Sequence, residues 1–233
     1  MSGATAPVRA VLLDAFGTLV SMEPPGLRLR AELARRAGVE VRPPAAEAAF
    51  AAEIDFYVAH HLEGRDERSL AGLRDRCAAV IEHTLGIEEL DRATVRAAML
   101  ASLRFVAQPD AEDALRALRA HGVRLVVASN WDCSLPQVLE EAGFGQLLDG
   151  VVPSASVGAA KPDARLFEAA LAIASASPGE ALHVGDSREH DVSGAVAAGV
   201  RGVLLDRRGE TEHASFPVIR TLAELPALVS EAA

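Results

Sequence analysis

The chain has 233 residues, 50% of them hydrophobic and 24% charged, with a formal net charge of −10. That length allows one large domain or two small ones, and the composition is ordinary for a globular protein. No apolar run approaches the ~20 residues of a membrane helix, and no lysine-rich tract could neutralise a phosphate backbone, so neither a membrane nor a nucleic acid is an expected partner.

The start, Met1–Ala6, is small and polar and lacks the basic and apolar regions of a secretory signal. The two cysteines, Cys77 and Cys133, suggest no disulfide framework. Together these features point to a reduced, cytoplasmic compartment. The acidic balance reads as solubility more readily than as the mark of a partner.

Val8 to Leu13 is a nearly continuous apolar run, the pattern of a strand buried on both faces in a parallel sheet. It ends at Asp14, ahead of the turn-forming Gly17. From Leu27 to Arg104 the rhythm changes. Leu29 and Leu33, then Ala49, Phe50, Ile54 and Val58, then Cys77, Val80 and Ile81 recur at helical spacing. Gly38 and Gly86 read as helix stops, and Pro24–Pro25 and Pro43–Pro44 punctuate the stretch. Three or four helices and no strand are expected.

After Pro109 helices and strands alternate. Ala111, Ala114, Leu115 and Leu118 fit one helix face, and Val123–Ala128 a buried strand. Leu135, Val138, Leu139 and Ala142 form the next face, followed by a short strand at Val151–Val152 and a helix carrying Leu166, Phe167, Ala170 and Leu171. Ala181–Val184 and Val203–Leu205 are two further strands around a helix ending near Gly199. This pattern predicts an α/β fold, a doubly wound parallel sheet over residues 7–20 and 105–233, with an all-helical insertion over 21–104.

In such sheets ligands bind beyond the carboxyl ends of the strands. Four polar places satisfy that rule: Asp14, Ser129-Asn130, Lys161 and Asp186. Each alone has a plainer reading. Asp14, Ser129 and Asn130 are common turn residues. Lys161 could be a solvated lysine before a helix opened by Pro162 and Asp163. Asp186 and Asp191 could be helix caps as well as hard-cation ligands.

Taken in order, the four places resemble the motifs of the haloacid dehalogenase superfamily, and the helical insertion looks like that superfamily's helical cap on its Rossmann-like core. The resemblance covers nearly the whole chain and implies a hydrolase. Asp14 would be the nucleophile, forming an aspartyl intermediate that water hydrolyses. Thr18 and Ser129, with backbone N–H groups near Phe16 and Asn130, would bind the oxygens of the transferring group. Lys161 would neutralise charge on Asp14 and the transition state. In the phosphatase branch Mg2+ would be held by Asp14, Asp186 and the main-chain carbonyl of Phe16, with Asp191 steadying those ligands. The cap would close over the strand ends on hinges at Val20–Pro25 and Arg104–Pro109.

One departure matters. Phosphatases of this superfamily carry a second Asp, a general acid and base, two positions after the nucleophile, where this chain has Phe16; losing such a group costs on the order of 10²–10⁴-fold. Asp132 is a candidate substitute. Phe16 and the Ser129-Asn130 pair are similar instead to the L-2-haloacid dehalogenases, which need neither acid nor Mg2+. Those enzymes, however, have Ser in place of Asp186 and Tyr in place of Phe167. A carboxylate at Asp186 without a cation would repel Asp14. The favoured expectation is therefore Mg2+-dependent hydrolysis of a small, anionic phosphate ester. A metal-free dehalogenase and a non-catalytic phosphate-ligand binder are the alternatives.

Positive charge for an anion would come from Lys161, Arg188 and Mg2+, with Arg28, Arg30, Arg35 and Arg36 of the first insertion helix as further candidates. His60-His61 and Cys133 read as structural, and Trp131 as either core or pocket wall. Neither the physiological substrate nor the oligomeric state is written in the spacing.

Overall fold

The computed structural model describes residues 7–211 and 213–230. The chain divides into two compact units, one formed by the chain up to Ser21 and from Ala107 onward, the other by Met22–Val106.

β1 (Ala10–Leu13) is buried at all four positions, and β2 (Val20–Met22) follows after a tight loop. The helical unit then begins. α1 (Pro25–Ala37) opens on Pro25 and stops at Gly38, a glycine with φ of 67°. α2 (Pro43–His60) is also opened by proline. α3 (Glu67–Leu85) starts from a capping box in which Asp66 accepts from the Ser69 N–H and Ser69 Oγ accepts from the Asp66 N–H. α4 (Arg92–Ser102) is capped by Asp91. Leu29, Leu33, Phe50, Leu73, Ile81 and Met99 bury the apolar stripes of these helices. β3 (Phe105–Ala107) pairs with β2, a two-stranded ribbon at the point where the chain leaves the sheet unit and returns.

The rest of the sheet unit runs α5 (Ala111–Ala120), β4 (Arg124–Ser129), α6 (Leu135–Glu141), β5 (Gly150–Pro153), α7 (Ser154–Val157), α8 (Ala164–Ala174), β6 (Ala181–Gly185), a π-helical turn at Arg188–Ser193, α9 (Gly194–Ala197), β7 (Arg201–Leu205), β8 (Val218–Ile219) and α10 (Leu225–Ser230). Six strands pair in parallel in the order β5-β4-β1-β6-β7-β8. The expected doubly wound α/β fold is therefore present. α8 packs Leu166, Phe167, Ala170 and Leu171 against Leu12, Val126, Ala128 and Val152 of the central strands. The chain builds outward from β1 through β4 to β5, then crosses back to β6. That reversal leaves a crevice at the carboxyl ends of β4, β1 and β6. No described helix is long and apolar enough to cross a membrane.

Candidate active site

Three adjacent strands each deliver a polar residue to that crevice. Asp14 follows β1, Ser129 ends β4 and Asp186 follows β6; the Asp14 N–H donates to the Val184 carbonyl at 2.9 Å, which extends the ladder up to the site. Lys161 arrives from the loop between α7 and α8. Ser129 Oγ donates to Asp14 Oδ1 at 2.9 Å, and Lys161 Nζ donates to the same oxygen at 2.5 Å and to Asp191 Oδ1 at 2.6 Å. Lys161 is only 4% exposed, and its ammonium is paired with two carboxylates.

Asn130 holds that lysine in place. Its Nδ2 donates to the Lys161 carbonyl at 3.1 Å, and its Oδ1 accepts from the Lys161 N–H at 2.7 Å. The side-chain amide is thus occupied by the backbone of Lys161, and a direct role toward a ligand would fall to the Asn130 main chain.

Two glycines admit carboxylates that any side chain would exclude. A Cβ on Gly17, whose φ is 80°, would lie 2.0 Å from Asp186 Oδ2. A Cβ on Gly185 would lie 2.1 Å from the Asp191 carboxyl carbon. The π-helical turn supplies the second carboxylate, since Asp191 and Val192 both donate their N–H groups to the Ser187 carbonyl. Asp191 then uses both oxygens, with Oδ1 facing Lys161 and His183 Nε2 (2.9 Å) and Oδ2 accepting from the Ser187 N–H (2.9 Å). Oxygens of Asp14, Asp186 and Asp191 all lie within 4.8 Å of one another, the one such group of metal-ligand type among the described residues.

The charges follow from this crowding. Burial pushes the Asp14 carboxyl above the ordinary range, against the opposing pull of Lys161. Asp186 has an exposed side chain, yet its carboxyl lies against the Gly17 backbone. Desolvation there, then the charges of Asp14 and Asp191, raise it to about 6. Burial alone would raise Asp191 and lower Lys161; their mutual attraction outweighs it, holding Asp191 well below and Lys161 above their usual values. The carboxylates outnumber the lysine, and Asp186 absorbs the excess.

The remaining predicted residues fall nearby. Thr18 is fully buried, and among the described residues nothing lies within hydrogen-bond range of its Oγ1. Phe16 is 48% exposed and its ring tilts against Trp131, with centroids 6.4 Å apart. Asp132 accepts from the Ser134 N–H at 2.7 Å, the work of a turn residue at the start of α6. The Arg188 guanidinium stacks over the Phe216 ring. In the helical unit Arg28 pairs with Glu23, Arg30 with the Val41 carbonyl, and Arg35 and Arg36 with Glu32. His60 bonds the Phe56 carbonyl within α2, and His61, just past that helix, bonds the Val58 carbonyl.

His183 is a residue the sequence reading passed over. It sits in the apolar run of β6, fully buried, edge-on to Phe167 at 5.1 Å, with Nε2 toward Asp191 and, among the described residues, no hydrogen-bond partner for Nδ1. A histidine at the centre of a buried strand, two residues before Gly185, was the available signal.

The description "haloacid dehalogenase-like hydrolase" matches residues 8–199. The phosphoserine phosphatase of Thermus thermophilus is 33% identical over 89% of this chain and 93% of its own length. The haloacid dehalogenase-like hydrolase domain-containing protein 3 of Bos taurus is 40% identical, but over 41% of this chain and 38% of its own length. Among solved structures, a 2-haloacid dehalogenase from Pseudomonas syringae superposes with a TM-score of 0.71 at 20% identity, over 97% of this chain and all of that one, a likeness of fold. The strand-end aspartates, the buried lysine and the match over most of the chain agree: this protein belongs to the haloacid dehalogenase-like hydrolases.

Proposed function

We propose that the chain is a Mg2+-dependent phosphohydrolase that cleaves a small anionic phosphate ester through an intermediate on Asp14. The observation that carries this reading is the convergence of Asp14, Asp186 and Asp191 around one lysine. A metal-free dehalogenase gains nothing from the carboxylate of Asp186, whereas a hard divalent cation relieves the repulsion that raises it. The all-oxygen donor set suits Mg2+. Asp191 already accepts from Lys161, His183 and the Ser187 N–H, so Asp14 and Asp186, with the Phe16 carbonyl, would hold the ion. When bound, it would offset charge on the phosphoryl oxygens. The likeness to a phosphoserine phosphatase along nearly the full chain supports phosphate chemistry. Met22–Val106 corresponds to the helical cap in this reading.

Ser129 and Lys161 grip Asp14 Oδ1, which leaves Oδ2 to attack phosphorus. The bond from phosphorus to the leaving oxygen breaks, and that oxygen departs with the electron pair and takes a proton from water. Water then attacks the aspartyl phosphate, gives up a proton to solvent, and restores the Asp14 carboxylate as inorganic phosphate leaves. Lys161 stabilises charge throughout.

One observation favours a second reading, 2-haloacid dehalogenation. Phe16 places an exposed aromatic ring beside Trp131, two residues from the nucleophile, and halide departure needs no proton donor. Asp14→Asn tests what both enzyme readings share: turnover should fall on the order of 10⁴-fold or more. Retained turnover would overturn the nucleophile assignment, and a wild type inert to both substrate classes would favour a binding protein.

A further inference from the structure

Arg207 lies outside every segment with an evident chemical pattern, on the loop that follows β7. Asp206 makes this loop rigid. Its Oδ1 accepts from the N–H groups of Gly209 (2.8 Å) and Glu210 (3.2 Å), its Oδ2 from that of Thr211 (2.8 Å), and its own N–H donates to the Ile219 carbonyl at 2.8 Å. From that platform Arg207 reaches the loop that carries the nucleophile. Nη2 donates to the Thr18 carbonyl at 2.9 Å and Nε to the Gly17 carbonyl at 3.3 Å. Nη1 and Nη2 also bind Asp110 in a fork, at 2.9 and 3.0 Å. Asp110 is held in turn by the Thr221 hydroxyl (2.7 Å) and the Leu222 N–H (2.9 Å).

Gly17 and Thr18 are the residues on which the site depends at this edge. Gly17 carries the close approach of Asp186, and Thr18 carries the buried hydroxyl without a partner. We propose that Arg207 is a positioning residue for the nucleophile loop, gripping the Gly17 and Thr18 carbonyls so that Gly17 keeps open the place of Asp186 beside Asp14. A planar guanidinium spreads five donors over a fixed fork that reaches two carbonyls and a carboxylate at once, whereas an ammonium offers three from a single nitrogen. The effect on the loop stands whatever the reaction, and the effect on turnover rests on the phosphohydrolase reading.

Amide hydrogen exchange on the full chain reads the loop directly, in wild type, Arg207→Ala and Arg207→Lys. Exchange at Gly17–Val20 should quicken about tenfold or more in Arg207→Ala, while the amides of β1 keep their protection. Arg207→Lys, which keeps the charge, should show the same selective loosening and covers the case in which the alanine variant does not fold. In the same proteins kcat toward an aryl phosphate should fall about 10–100-fold, with a smaller change in KM, and free guanidinium should restore part of it in Arg207→Ala. Unchanged exchange at Gly17–Val20, or loosening that spreads equally to β1, would overturn the proposal. A loosened loop in a protein whose wild type releases no phosphate would support the positioning role and sink the phosphohydrolase reading.

Discussion

Both units bury polar groups, and they use them in opposite ways. In the helical unit those with partners are paired singly, within that unit. Ser102 Oγ donates to the Ala98 carbonyl, His61 bonds the Val58 carbonyl, Glu82 takes Arg92, and Glu53, raised by burial, bonds Cys77. In the sheet unit five of the buried polar groups share partners. His183, Asp191, Lys161, Asp14 and Ser129 form one continuous chain of hydrogen bonds across the ends of β6, β1 and β4. Shared partners concentrate charge that no single pair can cancel, and that imbalance is what marks the site.

The contrast breaks most visibly at its hub. Lys161→Met leaves Asp14 and Asp191 buried without their ammonium, and unfolding free energy should drop by roughly 3–5 kcal/mol. Denaturant titration checks it; a loss under about 1 kcal/mol would mean that the network is far looser than its distances imply.

Asp186 gives the next effect, and its sign follows from its raised pKa. A folded value of about 6 against an ordinary 3.8 means that the native state holds its proton longer than the unfolded chain does. The metal-free protein should therefore lose stability as pH rises from about 4 to 6, with the penalty complete above that. In the proposed phosphohydrolase Mg2+ would displace this proton, so thermal stabilisation by Mg2+ should grow across the same window and level off above it. Asp186→Asn should remove the share of that pH dependence that belongs to Asp186, and with it the response to Mg2+. A Mg2+ response independent of pH, or one that survives in Asp186→Asn, would place the ion elsewhere.

The smallest effect belongs to the other side of the comparison. Arg35→Ala removes one exposed pair with Glu32 and should leave both thermal midpoint and turnover unchanged; a clear loss of turnover would make that arginine part of substrate capture.

Much of this was legible in the sequence because sheet geometry is regular. Val8–Leu13, Val123–Ala128 and Ala181–Val184 read as buried strands and appear as Ala10–Leu13, Arg124–Ser129 and Ala181–Gly185. A polar residue just past such a run lies near the crevice whatever its partners, which is why Asp14, Ser129 and Asp186 could be singled out. The three-residue β2 and β3 and the two-residue β8 were missed, since pieces so short carry no periodicity. The π-helical turn was also invisible, because one extra residue in a turn leaves no pattern. His183 and Arg207 escaped for a different reason. Each acts through a partner far away in sequence, and only the fold brings Asp191 to the one and Gly17 and Thr18 to the other.

The most direct measurement of the central claim is product release from an aryl phosphate and from 2-chloropropionate, side by side, with Mg2+ and with chelator. The account predicts phosphate release that requires Mg2+ and stops with chelator, and no chloride. Chloride release indifferent to chelator would contradict it, making Phe16 and not Asp186 the residue that decides the chemistry.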